Sequence, residues 1–234
     1  MNKPFSSSSL NAIERTDTLT ERVCIELRKA LIDGSFKPGE LIKIRDVAAA
    51  LQVSPTPARE ALSILIAEGT LLAGVNKSAM VPHLTPESLQ EITELRVALE
   101  GVAAEAATRK LTDGDITAIS LLHDELIAAT EAGDVSLTLE KNADFHFALY
   151  AHSEMPLVTK MIETTWLRSG AYLRLAYPGY GMLRKGLDNH HHIIDSLRQR
   201  DCVQVKQAIE QDIRESSAFL MEILQRHVQA SAQS

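Results

Sequence analysis

The chain has 234 residues, 45% of them hydrophobic and 4% aromatic, with 24 Lys+Arg against 31 Asp+Glu and a formal net charge of −7. That length can bury one or two cores, and the charge is uneven: residues 1–80 sum to +1 and residues 81–234 to −8, so the acidity lies behind the front third and leaves local phosphate contacts possible there. No apolar run approaches the ~20 residues that cross a bilayer, the start Met1 to Phe5 followed by four serines lacks a signal-peptide core, and Cys24 and Cys202 are too few for a disulfide framework, so the expectation is a soluble, cytoplasmic protein with buried thiols and no membrane partner.

Residues 1–15, rich in Ser and Asn, offer little apolar surface and are expected to be a disordered tail. Thr18 and Glu21 have capping-box spacing, and Val23, Leu27, Ala30 and Leu31 then form one apolar stripe that Gly34 ends. Ile44 to Leu51 reads as a short helix with Val47, Ala48 and Leu51 inward. Only Gln52 and Val53 separate it from Ser54-Pro55, where Ser54 is expected to cap a new helix with its side-chain oxygen and Pro55 to open the first turn. From there Ala58, Ala61, Leu62, Leu65 and Ile66 recur at helical spacing up to Gly69, leaving Thr56, Arg59 and Ser63 on the polar side. Two short helices across a tight turn predict a helix-turn-helix. Leu71-Leu72 and Met80-Val81 bracket Ala73 to Ala79, which reads as a two-stranded hairpin.

The run Arg28 to Gly34, Lys37-Pro38-Gly39, Val53-Ser54 through Leu62, and Glu68-Gly69 resembles the winged helix-turn-helix of GntR-family transcription regulators. The resemblance implies binding of double-stranded operator DNA, with Arg45 and Arg59 at positions that commonly reach the operator, Ser54 and Thr56 beside them, and Lys77 on the wing. Lys77 reads equally as a solvated turn lysine. Three residues depart from the family pattern: Gln52 and Ser78 stand where Gly is common, and Pro55 where Arg is frequent. A left-handed turn at Gln52 would cost about 1 kcal/mol.

Behind the hairpin the pattern is all helical. Thr85-Pro86 starts a helix to about Lys110 with Leu89, Ile92, Leu95, Leu99, Val102, Ala103 and Ala106 inward; Thr112 to Glu131, Asp134 to His152, Pro156 to Ala176, Met182 to Arg200 and Cys202 to Gln229 follow. Six helices with short loops predict an antiparallel bundle, so the fold class is mainly α, with a winged helix-turn-helix over 16–82 and a helical effector and dimerisation domain over 83–230. Glu94 to Glu100 and Asn142 to His146 make this half similar to the FadR-like branch with the ligand-binding bundle called FCD. That resemblance implies a homodimer and a small-molecule effector, most simply a carboxylate.

Asn142 and His146, four residues apart, share one helix face with Leu149; His190, but not His191 or His192, lies on a stripe with Ile194 and Leu197; Asp212 lies on the stripe Val205, Ile209, Ser216, Phe219. Buried His and Asp cost several kcal/mol unless paired or metal-bound. In metal-binding members of the FCD branch, Asn142, His146 and His190 fall on ligand positions, and Asp212 falls where a third His is usual. A mixed N/O set suits zinc, nickel or manganese. A polar pocket that binds effector without metal is the other reading. Arg96 reads either as an intrahelical partner of Glu100 or as a guanidinium presented to an acidic effector, and Arg174 near Tyr172 and Tyr177 is a second candidate for that role. Trp166, Tyr172 and Tyr177 read as core. Two rival functions are a metal-dependent hydrolase built on the bundle, which lacks a clear general base, and an effector-independent DNA-binding dimer.

Overall fold

The computed structural model describes residues 18–176 and 180–232. The N-terminal tail and Tyr177 lie outside the described residues. Helix α1 (Leu19–Ile32) opens on the expected capping box: the Thr18 side chain accepts from the Glu21 N–H, and the Glu21 carboxylate accepts from the Thr18 N–H. Its buried row, Val23, Leu27 and Leu31, packs on Ala58, Ala61, Leu62 and Leu65 of α3 (Pro55–Ala67), with Val47 and Ala48 of α2 (Ile44–Ala50) closing the third side. The two alanines of α3 are fully buried, so α1 approaches that backbone closely. Between α2 and α3 the chain turns left-handed at Gln52, φ 53°, which is the costly conformation expected where Gly is missing.

A three-stranded antiparallel sheet completes the winged unit. Strand β1 (Leu41–Ile42) and β2 (Leu72–Ala73) both pair with β3 (Ala79–Met80), with Met80 opposite Leu41 and Leu72. β1 was not legible in the sequence, because two residues are too short for period-2 alternation to register. The wing reverses at Asn76 and Lys77, both left-handed, in a 3-10 turn over Val75–Lys77. Ser78 needs no glycine-like freedom: its backbone is extended, and its hydroxyl donates to the Val75 carbonyl at 2.6 Å.

The helical half comprises α4 (Pro86–Thr108), α5 (Asp113–Glu131), α6 (Val135–Ala151), α7 (Pro156–Ala176), α8 (Tyr180–Arg198) and α9 (Cys202–Ala232). Thr85 and Thr112 make capping boxes, and Asp134 accepts from the Leu137 N–H. α4 runs along α9, α5 along α6, and α8 along α9. Cys24 is buried as expected, whereas Cys202, the first residue of α9, is half-buried because it sits at a helix end. One expectation for α4 fails: Leu95 and Val102 are 47% and 42% exposed, and the buried row instead contains Thr93, Arg96 and Glu100. An apolar count turns the helix by about one position, because Arg96 and Glu100 neutralise each other inside.

Helix α7 joins the two halves. Leu167, Ala171 and Tyr172 belong to the same core as α1–α3, while Ile162 and Trp166 belong to the core of the bundle. The Tyr172 hydroxyl accepts from the Leu84 N–H at 2.8 Å, fixing the connector between the halves. Gly170 is required here: a Cβ would fall inside contact distance of the Leu31 carbonyl oxygen. Gly170→Ala is therefore expected to lower stability by about 1–3 kcal/mol, the usual cost of overpacking, although alanine raises helix propensity. Urea unfolding of the variant measures this, and an increase in stability would contradict the close packing of α1 on α7.

Candidate functional site

The winged unit presents every residue singled out for DNA. Arg45 on α2, Ser54, Thr56 and Arg59 at the start of α3, and Lys77 on the wing are all exposed. The expected Ser54 side-chain cap does not form. Its acceptor would be met by the N–H groups of the second or third helical residue, and the third is Pro57, which has none. The Ser54 hydroxyl is thus left free of that intramolecular role. On the opposite flank Thr20 donates to the Glu60 carboxylate at 2.7 Å, tying α1 to α3 without using the basic side chain of Arg59.

The bundle holds a second, buried site. His146 on α6, His190 on α8 and Asp212 on α9 are 1%, 2% and 8% exposed. Their ligand atoms converge: His146 Nε2 lies 3.1 Å from His190 Nε2 and 3.5 Å from Asp212 Oδ2, and His190 Nε2 lies 4.0 Å from that oxygen. Donors about 2.0–2.2 Å from one ion at tetrahedral or octahedral angles stand roughly 2.9–3.5 Å apart. Two of the three edges meet this, and a modest carboxylate rotation would close the third. The three residues can therefore hold a divalent cation. Asn142, one turn before His146, lines the same cavity.

A chain of buried hydrogen bonds orients His146. The Tyr150 hydroxyl donates to the Glu100 carboxylate at 2.6 Å, and its oxygen lies 3.3 Å from His146 Nδ1. With its proton committed to Glu100, Tyr150 accepts from His146 Nδ1–H, which leaves the Nε2 lone pair directed at His190 and Asp212. Glu100 is held in turn by Arg96, Nε to Oε1 at 2.6 Å, and the guanidinium lies 4.5 Å above the centre of the Trp166 ring. Arg96 forms the expected pair with Glu100 and also lines the cavity. Its pairing is buried, so the few tenths of a kcal/mol of a surface helix pair do not apply.

Arg174 is not brought to the cavity. Its guanidinium donates to Ser136 Oγ at 2.7 Å and to the Asp33 carbonyl, at the junction of α1, α6 and α7. Three further participants went unseen in the sequence. Tyr150 was detectable by its four-residue spacing from His146, but Asn189, which donates to Asp212 at 3.4 Å, and His123, whose Nε2 lies 2.8 Å from His191 Nδ1, come from positions that only packing brings together.

Burial dominates the electrostatics. It pushes His146 down to about 3, with the charges of Arg96 and His123 adding, and it holds His190 well below the usual imidazole range. Burial also pushes Asp212 up to about 7, against the Asn189 hydrogen bond and the Arg96 charge. The cavity around these groups measures about 90 Å³ and is lined also by Thr130, Thr138, Leu139, Leu173 and Ser216. It is smaller than the usual drug-sized pocket.

Comparison with known proteins identifies both halves. Residues 19–81 match the bacterial regulatory proteins of the gntR family, and residues 91–215 match the FCD domain. The HTH-type transcriptional regulator McbR of Escherichia coli is 30% identical over 205 residues, 87% of this chain and 93% of that protein. The chain belongs to the GntR family. Its structure superposes on that of E. coli McbR/YncC with a TM-score of 0.84, covering 88% of this chain and 99% of the other. The Nta operon transcriptional regulator of Aminobacter aminovorans is 32% identical, covering 82% of this chain and 84% of its own length. A putative GntR regulator from Rhodococcus, at 23% identity and TM-score 0.70, shares the fold. The protein is accordingly a GntR-family transcription regulator with an FCD domain, and not an enzyme, which removes the hydrolase reading.

The raised Asp212 gives a test on chelator-treated protein. The folded state prefers the protonated acid, so the cost of burying the carboxylate is absent below the unfolded value near 3.8 and complete above about 7. At pH 8 the substitution Asp212→Asn is expected to stabilise the metal-free fold by up to about 4 kcal/mol, and at acid pH to give no gain. Calorimetry in chelator at both pH values checks this; a variant less stable at pH 8 would show that the carboxylate is already satisfied without a metal.

Proposed function

We propose that this regulator binds operator DNA as a homodimer through residues 16–82, and that residues 83–230 bind a small carboxylate effector beside a divalent cation, zinc, nickel or manganese. Arg45, Ser54, Thr56, Arg59 and Lys77 make the DNA contacts; His146, His190 and Asp212, with Asn142 as a further oxygen donor, hold the ion. The observation that carries the metal part is the convergence of three buried donor atoms from three helices, one of them oriented through Tyr150 and Glu100. A bound divalent cation supplies the positive charge that an ionised Asp212 lacks, and leaves coordination positions for effector oxygens. Arg96 gives the cavity a planar guanidinium suited to a carboxylate, and about 90 Å³ accommodates an acid of only a few non-hydrogen atoms. The homodimer is supported by the exposed apolar residues Leu95 and Val102, seven residues apart on the outer face of α4.

Helix α7 couples the two activities. On one face it carries Trp166 and Leu173 into the cavity. Within one to two turns toward its N-terminus, Glu163 lies 3.3 Å from Arg28 of α1, and Lys160 lies 3.6 Å from Glu68, the residue that ends α3 and pairs with Arg28. A ligand that displaces Trp166 therefore acts on the helix that holds the DNA-reading unit, and shifts the population able to engage two half-sites.

Gel-shift titration of Arg59→Ala, with duplexes enriched from a random library by the wild-type protein, tests the DNA assignment. The expected loss is about 5- to 150-fold, as for one good base contact, with circular dichroism unchanged; unaltered affinity would remove Arg59 from the interface. Trp166 is the sole tryptophan, so its emission reports the cavity. In wild type the emission is expected to change at saturating DNA, because coupling is reciprocal, and in Lys160→Met/Glu163→Gln the change is expected to vanish while DNA is still bound. An equal change in both proteins would exclude these ion pairs as the link.

A further inference from the structure

The first turn of α3 has a composition that constrains which bases it can read. Residues 54–57 are Ser-Pro-Thr-Pro. Pro55 and Pro57 occupy the first and third helical positions and carry no N–H, so Thr56 is the one backbone donor among the first three helical residues. Ser54, Pro55 and Thr56 are exposed, Pro57 is buried, and the first long donor on the exposed side is Arg59, one turn further along. In a helix-turn-helix the N-terminal residues of the second helix meet base edges in the major groove. Bidentate reading of guanine or adenine needs two hydrogen-bonding groups on one planar side chain, and Ser, Pro and Thr have none. They offer a pyrrolidine ring, a γ-methyl group and two hydroxyls.

The one apolar group that a base presents in the major groove is the 5-methyl of thymine. We propose that Pro55 and Thr56 form a small apolar surface that selects thymine by this methyl, in the same half-site as the base pair reached by Arg59. The Pro55 ring has a fixed φ, so its surface is presented without backbone ordering. The left-handed Gln52 and the short link through Val53 tie the start of α3 to α2, which restricts how far this turn can move from the groove. Specificity at this step thus comes from shape and dehydration, and the guanidinium of Arg59 supplies the hydrogen-bonded reading beside it.

The inference rests on the operator reading above, and the experiment separates the two. Duplexes are enriched from a random library by the full-length protein, and each thymine of the enriched sequence is replaced in turn by uracil, which removes only the methyl. The expected result is one thymine per half-site whose replacement weakens binding about three- to fivefold, the effect of burying a single methyl. In Thr56→Ser and Pro55→Ser, both exposed positions outside the buried row of α3, that sensitivity is expected to fall toward onefold while sensitivity to the Arg59-contacted base pair persists. A flat uracil scan in wild type, or a sensitivity unchanged in both variants, would overturn the methyl contact alone. Failure to enrich any duplex would overturn the operator reading together with it.

Discussion

The structure of the bundle depends on how it neutralises the charge buried at its centre. Arg96, Glu100, His146, His190 and Asp212 come from four helices and are all buried. Arg96 and Glu100 compensate each other, and Tyr150 closes the remaining acceptor of Glu100. The rest is only partly compensated: Asn189 donates to Asp212, yet burial holds both imidazoles neutral and drives the carboxylate toward protonation. A packed apolar replacement of similar volume would be at least as stable, so the arrangement is poorly explained as a device for stability. The three donors suit a divalent cation, which takes neutral imidazole and ionised carboxylate as ligands.

From that centre the consequences run outward along α7. Its Trp166 supports Arg96 by a cation–π contact, and one turn before it Glu163 already belongs to the ion pairs of the winged unit. Gly170 brings α7 onto the backbone of α1, and Tyr172 holds the connector at Leu84. The winged unit is thus seated on the same rigid element that walls the cavity. In the function proposed above, a ligand in the cavity would act on the DNA-binding unit through this one helix, with no contact to the DNA-binding face.

The helices and the winged motif were legible because caps and periodicity are local: Thr18, Thr85 and Thr112 all make the capping contacts their spacing implies. The inward direction of His146, His190 and Asp212 was legible for the same reason, since each sits on an apolar stripe. What failed did so where one local rule met another. Ser54 should cap, but Pro57 removes one of the two N–H groups that could donate to it and no bond from the other forms; Leu95 and Val102 should be inward, but a neutralised Arg96–Glu100 pair takes their place. Arg174 had suitable chemistry for an effector ligand, yet α7 directs it toward Ser136 and Asp33. His123 and Asn189 reach the site through packing of α5, α8 and α9, which no spacing in the sequence records.

The most direct measurement is native mass spectrometry of the protein purified without added metal or chelator, beside His146→Ala. The expected result is a dimer whose mass includes one divalent ion per chain in the wild type and no ion in the variant, with the dimer preserved. A metal-free dimer in both proteins would contradict the metal site, and would make the buried His146, His190 and Asp212 a polar pocket that binds its effector directly.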